Sequence, residues 1–118
     1  KDIKIDTVII ENQISPIANR MKTLQGMIAQ YFIMNDVNDI HFISASNKLK
    51  EFIANKQTTY SERKKIGIEI CEEILINNER LSEHITLFET SKKKDDLADC
   101  FLQGLWFLKE KSLIDTNI

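Results

Sequence analysis

Apolar residues in this chain change spacing from one stretch to the next, and each spacing predicts an element. Thr7-Val8-Ile9-Ile10 is a continuous β-branched run, too short for a helix and closed by the acid Glu11, so it predicts a short buried strand. Ser15-Pro16 then reads as a helix start, with Ser at the N-cap and Pro at the first helical position, where a missing N–H does no harm. Met21, Leu24, Met27, Ile28, Tyr31 and Phe32 continue that helix at helical spacing and predict one buried face, with Gly26 permitting close packing. After the polar stretch Asn35–Asp39, the segment Ile40-His41-Phe42-Ile43-Ser44 predicts a second strand, on which His41 has no evident ligand partner.

Strand, helix and strand in this order form a parallel unit. Parallel sheets contain more strands than two and are covered on both faces, so the free edge of Thr7–Glu11 predicts a neighbour supplied from upstream of Lys1. Beyond the second strand, Ser46–Phe52 predicts a short helix and Gln57–Tyr60 a polar loop. A long helix capped by Ser61 follows, with Ile66, Ile70, Cys71, Ile74 and Leu75 on its apolar face and Asn77-Asn78 at its end. Glu79–Leu87 predicts another helix, and Leu97–Lys109 the last, with Leu97, Phe101, Leu105 and Leu108 as its apolar side.

With 118 residues and 42% hydrophobic content, the chain can bury one core, and a single α/β domain over residues 1–118 is expected. No apolar run is long enough to span a membrane and no secretory h-region opens the chain, so an intracellular protein is expected. Cys71 and Cys100 fall in helical patterns, which suits small buried hydrophobes rather than a disulfide or zinc site. A formal net charge of −2 argues against nucleic-acid binding by bulk positive charge. Local basic groups at Lys48 and Lys50, at Arg63-Lys64-Lys65 and at Lys92-Lys93-Lys94 keep a basic face possible.

The segment Lys93-Lys94-Asp95-Asp96-Leu97-Ala98-Asp99 concentrates the chemistry. Asp96 and Asp99 are three positions apart, and Asp95 and Asp99 four, so on a helix these side chains stand one above another. Like charges so placed repel, although anions are favoured near a helix N-terminus. Two readings follow: an acidic helix start behind a lysine run, or a site for Mg²⁺ or Mn²⁺, hard ions that prefer oxygen ligands and share them with phosphate. Glu11, at the end of a parallel strand, is a third acid where ligands of such sheets gather.

Five segments in order, Val8-Ile9-Ile10-Glu11-Asn12-Gln13, Met21–Met27, Ser44-Ala45-Ser46-Asn47-Lys48-Leu49, Arg63-Lys64-Lys65 and Lys93–Asp99, resemble the poxvirus-type Holliday junction resolvases. Fungal mitochondrial cruciform-cutting endonucleases and bacterial RuvC proteins share the wider pattern. The resemblance implies a ribonuclease H-like fold, of which this chain would be a C-terminal portion with two parallel strands and about five helices. It implies a homodimer that cuts four-way DNA junctions with two Mg²⁺ or Mn²⁺ ions held by four acids. Three of those acids map to Glu11, Asp96 and Asp99, with Asp95 as an adjacent auxiliary ligand. The fourth belongs to a first strand that would precede Lys1, since neither Asp2 nor Asp6 has its context.

A catalytic lysine is placed at Lys65 or its neighbour Lys64, and Lys48, Lys50, Lys64, Lys93 and Lys94 are expected to touch DNA phosphates. No small-molecule cofactor and no membrane are expected. A poxvirus-like protein would work in the host cytoplasm, a cellular one in a mitochondrion or nucleus. Two alternatives stay open. One is a noncatalytic protein that binds or scaffolds branched DNA on the same fold; the other is a different nuclease of that fold, such as an exonuclease or an enzyme acting on RNA in hybrids. The helix Arg63–Leu75 is a possible dimer surface.

Overall fold

The computed structural model describes residues 3–14, 19–53 and 58–115, and the chain divides into two compact units, Lys1–Ala45 and Ser46–Ile118. The expected helix start at Ser15-Pro16 and the residues Asp2 and Gln57 lie outside the described residues.

The first unit holds two strands and a helix. β1 (Thr7–Glu11) and β2 (Asp39–Ile43) pair in parallel, with Thr7 opposite Asp39 and Glu11 opposite Ile43. The register is pinned at one end by Thr7, whose hydroxyl donates to Asp39 Oδ2 at 2.7 Å, and at the other by the Asn12 N–H, which donates to the Ile43 carbonyl at 2.7 Å. His41 has a structural partner after all: its Nε2 lies 2.8 Å from Asp39 Oδ1.

α1 (Asn19–Met34) connects the strands. It ends in a Schellman motif: Asp36 takes the left-handed conformation at φ 67°, its N–H donates to the Ile33 carbonyl, and the Val37 N–H donates to Phe32. The expected buried stripe is not buried. Met21, Leu24, Met27, Ile28 and Tyr31 are all exposed, and Ala29 is the buried residue of the helix. Strands stand only about 5 Å apart, so a two-stranded ribbon covers one narrow side of a helix, here the side of Ala29 and half-buried Gln25 and Phe32. Gly26 is likewise no packing point, since a Cβ added there would meet nothing within 4 Å.

The second unit is helical. A 3₁₀ turn (Ala45–Leu49) runs into α2 (Lys50–Ile53) where one short helix was expected. α3 (Tyr60–Asn77) is capped two positions ahead of the expected Ser61. Thr59 is the N-cap: its hydroxyl accepts from the Glu62 N–H at 3.1 Å, while its own N–H donates to Glu62 Oε1 at 2.9 Å, a complete capping box. Hydrogen bonds from the Thr59 backbone N–H and then from its hydroxyl hold the Glu62 carboxyl below its ordinary value. The expected helix Glu79–Leu87 resolves into a turn, a 3₁₀ turn (Ser82–His84) and α4 (Ile85–Thr90). α5 spans Lys94–Glu110.

α3 packs chiefly on α5. One cluster gathers Cys71, Leu75, Phe88 and Ala98; a second gathers Leu49, Ile53 and Leu102, and Phe101 packs against both. Ala98, Leu102 and Leu105 therefore form the buried side of α5, with Phe107 buried off that side, while Leu97 and Leu108, expected in the core, are 39% and 37% exposed. Cys71 is 1% exposed, and burial, with the nearby Glu72 charge adding to it, pushes its thiol up to about 11. Cys100 is exposed rather than buried. No helix among the described residues is long and apolar enough to cross a membrane.

Candidate functional site

The rotation of α5 decides where its acids stand. With Ala98 and Leu102 turned into the core, the 100° advance per residue puts Asp95 and Asp99 on one strip beside the buried side, and carries Asp96 roughly 60° further round. Side-chain exposure follows that order: 20% for Asp95, 44% for Asp99 and 66% for Asp96.

Each aspartate meets a lysine, and each lysine comes from a different element. Lys64 of α3 reaches across to Asp95, Nζ to Oδ2, at 3.0 Å. Lys48, in the 3₁₀ turn Ala45–Leu49, stands 3.6 Å from Asp99 Oδ1, its side chain only 17% exposed. Lys93, just ahead of α5, stands 3.6 Å from Asp96 Oδ2. The Lys64 hydrogen bond holds the Asp95 carboxyl below its ordinary value, and the same bond raises the Lys64 ammonium above its own. A hydrogen bond with the Tyr60 side chain adds to this, and the Lys64 ammonium also lies 5.0 Å from the Tyr60 ring centroid. Tyr60 was not singled out from the sequence, although its position one turn ahead of Lys64 places the two on one helix face.

The second unit thus assembles a surface of alternating carboxylates and ammoniums from α3, α5 and the 3₁₀ turn. Lys50 and Lys65 are exposed, and Lys94 is half-buried at the first position of α5. Asp95 and Asp96 lie in the first turn of α5, where the helix dipole favours negative charge. Neither is the cap: Lys93 occupies the N-cap position with no side-chain cap bond, and its N–H donates to the Ser91 hydroxyl at 3.0 Å.

Glu11 belongs to the first unit. It closes β1, half-buried, and its carbonyl accepts from Gln13 Nε2 at 3.2 Å. Gln25 of α1 secures the segment that follows, its Oε1 accepting from the Gln13 N–H at 2.7 Å.

The chain is 32% identical to an uncharacterized protein of Acanthamoeba polyphaga mimivirus over 124 aligned residues, which cover 89% of this chain. The match takes in 29% of the viral protein, so the chain spans less than a third of that relative's length. No family model matches the chain, and no solved structure matches it.

Hard-ion chemistry suits the donor set of α5, which offers only carboxylate oxygens. Among the described residues no three acids, histidines or cysteines are already gathered as a metal-ligating group. The lysine contacts stand where a cation would, and exposed pairs of this kind are weakly held. A separate hollow of about 220 Å³ in the same unit is lined by Leu75, Leu81, His84, Leu87 and Phe88. Its apolar wall offers nothing to orient a phosphate and belongs to the helix packing.

Proposed function

We propose that this chain is part of a structure-selective, metal-dependent endonuclease that hydrolyses phosphodiesters in branched DNA. The observation that carries the reading is the surface on which Asp95, Asp96 and Asp99 of α5 meet Lys48, Lys64 and Lys93 at 3.0–3.6 Å. Carboxylates suited to hard cations and ammoniums suited to phosphate stand side by side, as phosphodiester chemistry requires. The ribonuclease H-like fold, the four-way junction as substrate and the homodimer come from the sequence resemblance, which the mixed α/β architecture with a parallel strand pair accommodates.

In this reading Asp96 and Asp99 would hold Mg²⁺ or Mn²⁺, with Asp95 beside them. Bound there, the ions would supply Lewis-acid activation of the attacking water and neutralise charge on the phosphate and the leaving 3′ oxygen. Lys48 and Lys64 leave their carboxylates for phosphate oxygens as DNA arrives, while Lys50, Lys93 and Lys94 grip the flanking backbone. Lys65, exposed one position beyond Lys64, assists at the scissile phosphate. Junction selectivity then follows from the shape of the basic surface rather than from base contacts.

The test is cleavage of a labelled four-way junction by the full gene product with Mg²⁺, comparing the parent with Asp96→Asn and Asp99→Asn. A loss of at least about 100-fold in each variant is expected, on the scale of removing an electrostatic group from an active site. Equal rates in parent and variants reject the assignment. The lysine already present at each aspartate favours one second reading, a noncatalytic protein that holds branched DNA. Junction binding by the parent with no product in Mg²⁺ or Mn²⁺ selects that reading.

A further inference from the structure

We propose that the hollow between α3, α4 and α5 is a binding site for a small neutral aromatic molecule of about nine non-hydrogen atoms, held by shape and by one hydrogen bond at the His84 imidazole. The hollow measures about 220 Å³ and runs from the core of the helical unit to its surface. Cys71 and Phe88 at its floor are 1% and 3% exposed, whereas Leu87 and Leu97 at its mouth are 68% and 39% exposed. Leu97 stands at that mouth because Ala98 and Leu102 take the core side of α5. Two leucines left open beside a hollow gain burial when a guest fills it.

Size and lining select the guest. A cavity of about 150 Å³ lined by leucine, isoleucine and phenylalanine takes benzene, so a hollow of about 220 Å³ takes, in proportion, about nine non-hydrogen atoms, the size of indole. Its side chains are leucines and phenylalanines apart from two, Cys71 and His84. Burial pushes the Cys71 thiol up to about 11, so the floor is neutral near pH 7, and a thiol is only a weak donor. A water needs about two to four polar partners, which this lining does not supply, and an ion would lose its hydration with no return. Phe88 and Phe101 present rings on which an aromatic guest packs offset or edge to face, a gain that an aliphatic guest forgoes. His84 is exposed at the mouth, on a 3₁₀ turn closed by its own N–H on the Leu81 carbonyl at 2.9 Å. A ring nitrogen there accepts from an N–H or O–H on the outer edge of the guest and fixes which way round it enters. None of the aspartate–lysine pairs lines the hollow, so guest binding is independent of the nuclease reading.

The test is leucine-methyl NMR of the chain titrated with indole or with toluene at about pH 8, above the ordinary imidazole value. Shifts are expected to saturate with a dissociation constant of about 0.1–1 mM and to be confined to Leu75, Leu81, Leu87 and Leu97, while Leu24, exposed on α1, stays unmoved. Cys71→Met adds two carbons from the floor and should weaken both probes at least tenfold with an unchanged far-UV circular dichroism spectrum. His84→Leu, a substitution at an exposed position, should weaken indole at least threefold and leave toluene unaltered, a split that loosening of the fold would not produce. Shifts that never saturate, equal shifts at Leu24, or an indole affinity untouched by both substitutions overturn the proposal.

Discussion

Leu102→Ala against Leu108→Ala tests the rotation of α5, on which the position of every aspartate in the candidate site depends. Leu102 is 1% exposed and sits with Leu49 and Ile53 under Ile66, Ile70 and Ile74; its Cδ1 is the nearest atom, at 3.8 Å, to a Cβ built on Gly67. Truncation removes three carbons from that cluster. At about 0.8 kcal/mol per buried methylene the transfer loss is near 2.4 kcal/mol, and the cavity left between α3 and α5 brings the cost to about 3–4 kcal/mol. Leu108 is 37% exposed, so solvent fills the space its truncation leaves and the cost is about 1 kcal/mol. Trp106, the sole tryptophan and half-buried on the same helix, reports unfolding in a urea titration. With a slope of roughly 1–3 kcal/mol per molar, Leu102→Ala should lower the midpoint by at least about 1 M and Leu108→Ala by a third of that or less. Equal losses, or a larger loss at Leu108, would place the buried side of α5 where the heptad-like reading of its leucines puts it. Asp95 and Asp99 would then not stand on the strip that faces Lys64 and Lys48.

Thr59→Ala removes the hydroxyl that accepts from the Glu62 N–H and should cost about 1 kcal/mol, read in the same titration, whereas Ser61→Ala should be near neutral. For the Lys64–Asp95 pair, the aspartate is held below its ordinary 3.8 and the lysine above its ordinary 10.5. The stabilisation is therefore complete between those two values, is lost at the acid end as pH falls through the lowered carboxyl value, and is lost at the alkaline end as pH rises through the raised ammonium value. A double-mutant cycle with Lys64→Met and Asp95→Asn should show coupling at neutral pH that fades toward either end and in about 1 M salt. Absence of coupling at neutral pH, or coupling unchanged from the acid to the alkaline end, would refute the contact.

The strands were legible because their signal is local. Thr7–Glu11 matches residue for residue, and Ile40–Ser44 is displaced by a single position from Asp39–Ile43. The capping box was also written locally, as Thr59-x-x-Glu62, and a serine two positions later obscured it. The faces of the helices were harder. Leucines at 97, 105 and 108 with Phe101 read as one stripe, but the choice between that side and the side of Ala98 and Leu102 depends on what α3 presents. α3 presents Gly67 and Cys71, small residues that admit α5 closely at Leu102 and Ala98. In α1 the period was right and the inference from period to burial was not, because periodicity reports an amphipathic helix without saying what covers it. Of the candidate site, the acids on α5 were visible from spacing. Their lysine partners at positions 48 and 64 depend on tertiary packing, and no spacing rule could pair residues 51 or 31 positions apart.

That packing separates the roles of the three aspartates within the proposed reading. Asp95 has the shortest lysine contact, the lowest exposure and a carboxyl held below its ordinary value, so the cost of detaching it from Lys64 is the highest of the three. Asp96 is the most exposed, and its lysine, Lys93, lies three positions away in the chain, where side-chain rotation alone frees it. Asp99 falls between, with an exposed carboxylate but a largely buried Lys48. A cation arriving from solvent therefore competes most easily for Asp96, then Asp99, and least easily for Asp95. Before DNA arrives, Asp95 ties α5 to α3 through Lys64, and that pair is the last of the three to open.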